Sequence, residues 1–98
     1  MSKAVVVRYR TSEDAAEENQ RLVEQVYAEL NADQPEGLRY MTFRLADGVT
    51  FVHVAVHADD DNPLTRSAAF AAFQAGLADR VVEPPQPSQA TIVGSYGF

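Results

Sequence analysis

The sequence predicts an α+β fold of strand, helix, hairpin, helix, strand order, on three observations. A β-branched run near the start, Ala4 to Arg10, reads as a buried strand. Two apolar stretches of helical spacing lie one before and one after a pair of alternating runs. Those runs, Leu38 to His57, meet at Asp47-Gly48, a dipeptide suited to a tight hairpin turn. With a closing strand, this is the βαββαβ order of ferredoxin-like folds, in which two helices cover one face of an antiparallel sheet and leave the other bare. A chain of 98 residues suffices for a single domain spanning 1–98 and leaves no room for a second.

Each element has its own warrant. In the first strand Arg8 and Arg10 alternate away from Val5, Val7 and Tyr9. Thr11-Ser12 offers a capping hydroxyl, and Glu13, Asp14, Glu17 and Glu18 complement the positive end of a helix over about 12–31. Its apolar stripe is Leu22, Val23, Val26, Tyr27 and Leu30, and Pro35 and Gly37 stop it. A type I′ turn at Asp47-Gly48 pairs Phe43 with Val52 and Met41 with Val54 on one face. On the other it pairs Arg44 with Phe51, Thr42 with His53 and Tyr40 with Ala55, with His57 on that side too. Asn62-Pro63 opens a second helix over about 63–79, its stripe Phe70, Phe73 and Leu77 and its flanks slim with alanine. Val81-Val82-Glu83 reads as a brief strand, Pro84-Pro85-Gln86-Pro87 as a stiff extended connector, and Ala90 to Phe98 as the last strand.

Composition excludes several chemistries. No cysteine means no disulfide, thiolate metal site or thiol nucleophile. A net charge of −6 repels a phosphate backbone, so nucleic acid is not an expected partner. No apolar run reaches the roughly 20 residues of a membrane span, so no membrane partner is expected either. The N-terminal residues lack the pattern of a secretory signal, and the expected location is cytoplasmic.

The apolar hairpin face of Met41, Phe43, Leu45, Val52, Val54 and Val56 is expected to lie under the helices. The mixed face of Tyr40, Phe51, Ala55, His53 and His57, joined by Val6, is then the bare one. Such a surface predicts a homodimer through the sheet face that the helices leave uncovered. Tyr40, Arg44, Phe51 and His53 are the candidate ligand-binding residues, in a gap between two sheets. His53 serves there as a ligand hydrogen-bond partner or as a satisfied interface histidine. Arg8, Arg10 and Arg44 read as a guanidinium cluster for an acidic ligand or as partners of the second subunit's carboxylates. His53 and His57, four residues apart on a strand and so roughly 13 Å apart, cannot share a metal ion. Asp59-Asp60-Asp61 lacks the alternation of a calcium loop, and no serine lies in a nucleophile motif. Neither a metal nor a cofactor is expected.

Together the run Val5-Val6-Val7-Arg8-Tyr9, the acidic first helix, Phe51-Val52-His53-Val54, Asn62-Pro63-Leu64, Phe70, Phe73 and Gly94-Ser95-Tyr96 resemble the dimeric α/β-barrel group, and within it the small antibiotic-biosynthesis-monooxygenase-like proteins. The resemblance covers nearly the whole chain and implies homodimers whose two sheets face each other. It also implies activities that include cofactor-free oxygenation of aromatic polyketides and haem degradation. The haem-degrading branch relies on an Asn, a Trp and a His, and this sequence has no Trp. In the oxygenase branch the pocket lies between sheet and helices, a face read here as apolar throughout. Two functions follow: a cofactor-free monooxygenase-like enzyme for a small aromatic or polyketide-like molecule, or a non-catalytic homodimer that binds a small apolar ligand or serves as an assembly unit.

Overall fold

Hairpin register follows the alternation of the sequence. In the computed structural model, which describes residues 2–98 and leaves Met1 outside, strand β2 (Leu38–Arg44) pairs antiparallel with β3 (Thr50–Ala58). Tyr40 lies opposite Ala55, Met41 opposite Val54, Thr42 opposite His53, Phe43 opposite Val52 and Arg44 opposite Phe51, the register the sequence predicts. The turn differs from type I′. Asp47 keeps a negative φ; Gly48 alone takes the left-handed conformation, at φ 79°. The Gly48 amide donates to the Leu45 carbonyl at 2.9 Å. Asp47 stabilises this wider turn instead, accepting from the Val49 and Thr50 amides and from the Thr50 hydroxyl at 3.0, 2.9 and 2.5 Å. Those donors, the hydroxyl foremost, hold its carboxyl down at about 2.

β1 (Ser2–Thr11) pairs antiparallel with β3 on one side and with β4 (Val81–Ala90) on the other, giving the strand order β2-β3-β1-β4. The connector and last strand predicted from the sequence are thus revised: Pro84, Pro85 and Pro87 lie within β4, and residues 91–98 form no strand. Proline cannot donate to a ladder, but β4 is an edge strand, where that loss is tolerated. The register of β1 against β4 shifts around Arg10, between the Arg8–Gln86 and Thr11–Val81 pairs.

Helix α1 (Ala16–Asp33) starts four residues later than predicted, because Glu13 to Ala15 form turns and no side chain caps Ala15. It ends where Gln34 turns left-handed and donates back to the Leu30 carbonyl. The second predicted helix is broken into a 3-10 turn at Pro63–Arg66, α2 (Ala68–Ala75) and α3 (Leu77–Arg80). Asn62 caps the first piece through the Leu64 amide, and Ser67 caps α2 through the Phe70 amide. Glu29 of α1 adds its carboxylate to the same end of α2, accepting from the Ala69 amide at 2.9 Å.

The core lies between the sheet and these helices, and it is not the core the sequence suggests. Tyr9, Phe51, Val23, Val26, Leu64 and Phe73 form the buried cluster, with Val7, Leu22, Tyr27, Leu30, Tyr40, Phe70 and Leu77 packed against it. The helix stripes are as predicted. The hairpin is turned over: the side of Tyr40, Phe51 and His53 faces the helices, and Met41, Phe43 and Leu45 are about 40% exposed on the bare side. Because β1 pairs Tyr9 with Phe51, Val7 with His53 and Val6 with Val54, Val6 joins the bare side with Val54.

Candidate functional site

Burying Tyr9, His53 and Tyr40 under helices demands partners for every polar atom, and other elements supply them. β1 brings Tyr9, β2 brings Tyr40 and Thr42, β3 brings His53, α1 brings Asn19 and Tyr27, and α3 brings Arg80. Arg80 Nε donates to Asn19 Oδ1 at 3.0 Å and Asn19 Nδ2 donates to the Tyr9 hydroxyl at 2.8 Å. That hydroxyl lies 2.8 Å from His53 Nε2. His53 Nδ1 lies 2.5 Å from the Tyr40 hydroxyl and 3.2 Å from Thr42 Oγ1, which in turn meets the Tyr27 hydroxyl at 2.7 Å. Arg80 also donates to the Phe73 carbonyl at 2.7 Å and places its guanidinium 5.3 Å from the Phe73 ring centre. Tyr9 stacks on Phe51 at 5.6 Å and Tyr27 on Tyr40 at 5.2 Å, so rings and hydrogen bonds fix one another.

Burial decides the charge state of this chain of groups. Desolvation pushes His53 down to about 4, so the imidazole is neutral at pH 7. It pushes Tyr9 up to about 12, against the opposing hydrogen bond from Asn19 and the charge of Arg80. Tyr40 is raised by burial and by the neighbouring Tyr27, and Tyr27 by burial. His53 and the three tyrosines are therefore neutral donors and acceptors, beside the charged guanidinium of Arg80.

One end of the network opens into a cavity of about 180 Å³ between sheet and helices. Val5, Val7, Ala55, Leu64, Phe70 and Phe73 contribute apolar wall, Tyr40 and His53 bring the network to it, and His57, Asn62 and Gln74 add further polar groups. No Lys or Arg lines it. A polar group in the helix-side pocket, not expected from the sequence, is thus present.

The four candidate residues separate. Tyr40 and His53 line the cavity and bond to each other. Phe51 is 1% exposed beneath Tyr9, within the core rather than on a free face. Arg44 donates to the Gly48 carbonyl, Gln20 and Glu17, tying the hairpin to α1. The three arginines do not cluster: Arg10 pairs with Glu83 of β4, and Arg8 and Arg10 lie on the opposite side of the sheet from Arg44. Among the described residues no three His, Asp or Glu side chains converge as metal ligands, and no helix is long and apolar enough to cross a membrane.

Asn19 and Arg80 are the members that sequence reasoning passes over. Asn19 carries a signal: it sits four and seven positions before Val23 and Val26, on the buried stripe, and is fully buried. A polar residue at a stripe position demands a partner. Arg80 carries none, since an arginine at a helix end reads as a solvated dipole complement.

No protein-family model matches the chain, and no curated protein matches it in sequence. Solved structures do. A protein of Nitrosomonas europaea provisionally named an antibiotic biosynthesis monooxygenase superposes with a TM-score of 0.78 at 16% identity, covering 98% of this chain and 94% of that one. One of Caulobacter crescentus under the same provisional name gives 0.75 at 18% identity, with 95% and 91% covered. SnoaB of Streptomyces nogalater, a cofactor-independent oxygenase solved as a point variant, gives 0.69 at 20% identity, with 99% and 98% covered. The chain has the ferredoxin-like α+β fold of the antibiotic-biosynthesis-monooxygenase-like proteins.

Proposed function

We propose that this chain is a cofactor-free, monooxygenase-like enzyme that acts on a small aromatic molecule held between its sheet and helices. The observation that carries the reading is the cavity itself: apolar, walled partly by aromatic rings, and met by the hydrogen-bonded pair Tyr40 and His53. Such an apolar cleft seats a reactive ring against the sheet and fixes its orientation through a few polar contacts. The likeness of fold to SnoaB supports the reaction class. Oxidation of a ring-activated methylene by dioxygen gives a carbonyl and water, so the balance needs no external reductant. Of the candidate residues, Tyr40 and His53 are the ligand contacts, while Arg44 and Phe51 hold the hairpin and core beside them.

In the same proposal two copies pair through the bare sheet face, where Val6, Met41, Phe43, Leu45, Val52, Val54 and Val56 form an apolar surface flanked by Arg8 and Arg39. Oxygen uptake with anthrone-like and smaller one- or two-ring methylene substrates tests the activity. Uptake with carbonyl formation is expected, and none across the panel removes the enzyme.

A non-catalytic binder is the second reading, favoured by one observation: both ring nitrogens of His53 are already engaged, so no imidazole lone pair is free to act as a base. Native mass spectrometry of freshly purified protein separates the two, since a retained and unaltered aromatic molecule without oxygen uptake identifies a binder.

A further inference from the structure

Arg80 is buried, and among the described residues no carboxylate forms an ion pair with it; Glu18 and Asp79 favour its charge only at longer range. A cation in such a place needs compensation from other groups. Its partners are Asn19 Oδ1, the Phe73 carbonyl and the face of the Phe73 ring. A guanidinium can only donate, so Asn19 Oδ1 accepts and the amide nitrogen is the end that meets Tyr9. The Tyr9 oxygen thus receives a hydrogen bond. Tyr9 is 2% exposed, and its own proton has one acceptor within reach among the described residues, His53 Nε2 at 2.8 Å. With Nε2 accepting, the neutral imidazole carries its proton on Nδ1 and donates it to the Tyr40 oxygen at 2.5 Å. Tyr40 gives its own proton to Thr42 Oγ1, which meets the Tyr27 hydroxyl at 2.7 Å on the wall of a surface cleft between α1 and β2.

Every group from Asn19 to Tyr40 turns its acceptor toward Arg80 and its proton away from it. Dipoles aligned in this way stabilise the cation, each polarising the next, and take the place of the missing carboxylate. The orientation of the series is therefore set at its charged end.

We infer that Arg80 and Asn19 are positioning residues that select the Nδ1–H tautomer of His53, so that the imidazole serves the cavity as a fixed hydrogen-bond donor to Tyr40. Neither residue lines the cavity, and both act through Tyr9. The choice of tautomer matters at Tyr40. With the proton on Nδ1, the Tyr40 oxygen accepts from His53 and its hydroxyl is directed to Thr42; with the reverse tautomer, Tyr40 would donate to Nδ1 and Thr42 would lose its donor. What Tyr40 does for a ligand rests on the proposed site, whereas the tautomer is read without ligand or turnover, and absence of oxygen uptake bears on the proposed enzyme alone.

Nitrogen-15 NMR of the full chain at pH 7 reads the two ring nitrogens separately. In the unaltered protein His53 is expected to show a protonated Nδ1 and a bare Nε2. Asn19→Asp is the informative variant, because it keeps the size of the side chain and a partner for Arg80 but offers acceptors only. One carboxylate oxygen takes the guanidinium and the other takes the Tyr9 proton. The Tyr9 oxygen is then left to accept from the imidazole, and Nε2 is expected to become protonated. A purely structural role for Asn19 would change the melting temperature and leave the ring nitrogens as they were. A bare Nδ1 in the unaltered protein, or an Nε2 that stays bare in folded Asn19→Asp, overturns the inference. If Asn19→Asp does not fold, the tautomer of the unaltered protein decides by itself.

Discussion

His53 carries a measurable consequence for stability. Its pKa falls from the ordinary 6.5 to about 4 on folding, through desolvation. The unfolded chain therefore binds a proton that the folded chain refuses between those two values. Stability is full above about pH 6.5 and is lost as pH falls toward 4, by up to roughly 3 kcal/mol at about 1.4 kcal/mol per unit. Urea unfolding at a series of pH values checks the slope, and His53→Gln is expected to flatten it while lowering stability at neutral pH. Asn19 is the second informative side chain. It is fully buried and serves Arg80 with its oxygen and Tyr9 with its nitrogen. Asn19→Ala leaves a guanidinium Nε without its acceptor and a phenol oxygen without its donor, at a cost of about 2–4 kcal/mol, read from the midpoint of denaturant unfolding. Of these residues, Tyr40 and His53 stand out in the sequence because aromatic and titratable side chains interrupt an alternating hairpin. Their partners do not, because Asn19 and Arg80 lie 61 residues apart and meet only once the helices pack.

The elements separate into those set by local chemistry and those set by packing. The hairpin register is local: alternation and a short turn fix which residues face each other, and the turn type matters little. The last strand is not local. Three prolines read as a connector because proline cannot continue an interior ladder, yet the free edge of β1 accepts them as an outer strand. The break between α2 and α3 is also a packing effect, centred on Gly76. Its φ of −106° suits any residue, so conformational freedom is not what glycine supplies here. A Cβ at this position would lie 2.8 Å from Arg80 Nη1, and that guanidinium is held in place by Asn19 and the Phe73 carbonyl. Gly76→Ala, which favours an ordinary helix by about 1 kcal/mol, is expected here to reduce stability by about 1–2 kcal/mol because the buried arginine must give way. A thermal melt decides the sign. If the variant melts higher, Arg80 has room to move and the network is looser than its distances imply.

At the scale of the molecule, the fold class is legible from element order, but the side of the sheet that meets the helices is not. Apolar content points the aliphatic face inward. Yet Tyr, His, Asn and Arg go inside when they satisfy one another, and nothing in the hairpin records partners supplied by α1 and α3. For the proposed pairing of two copies, the inversion offers a more apolar surface than the mixed face read from the sequence, since Met41 and Phe43 of β2 now stand outward beside Val6. If two copies close over that face, a single charge at its centre must give up its hydration when they meet, but costs little in a separated chain where it reaches water. Val54 is the position to choose: β3 is flanked on both sides, and Val54 sits between Met41 of β2 and Val6 of β1. Val54→Glu is expected to shift the protein from dimer to single chain by light scattering at micromolar concentration, with its far-ultraviolet circular dichroism kept. On the helix side, Val7→Glu instead disrupts the core and is expected to lose the folded signal. An unaltered chain that scatters as a monomer, or a Val54→Glu variant that still scatters as a dimer, removes this face as the interface.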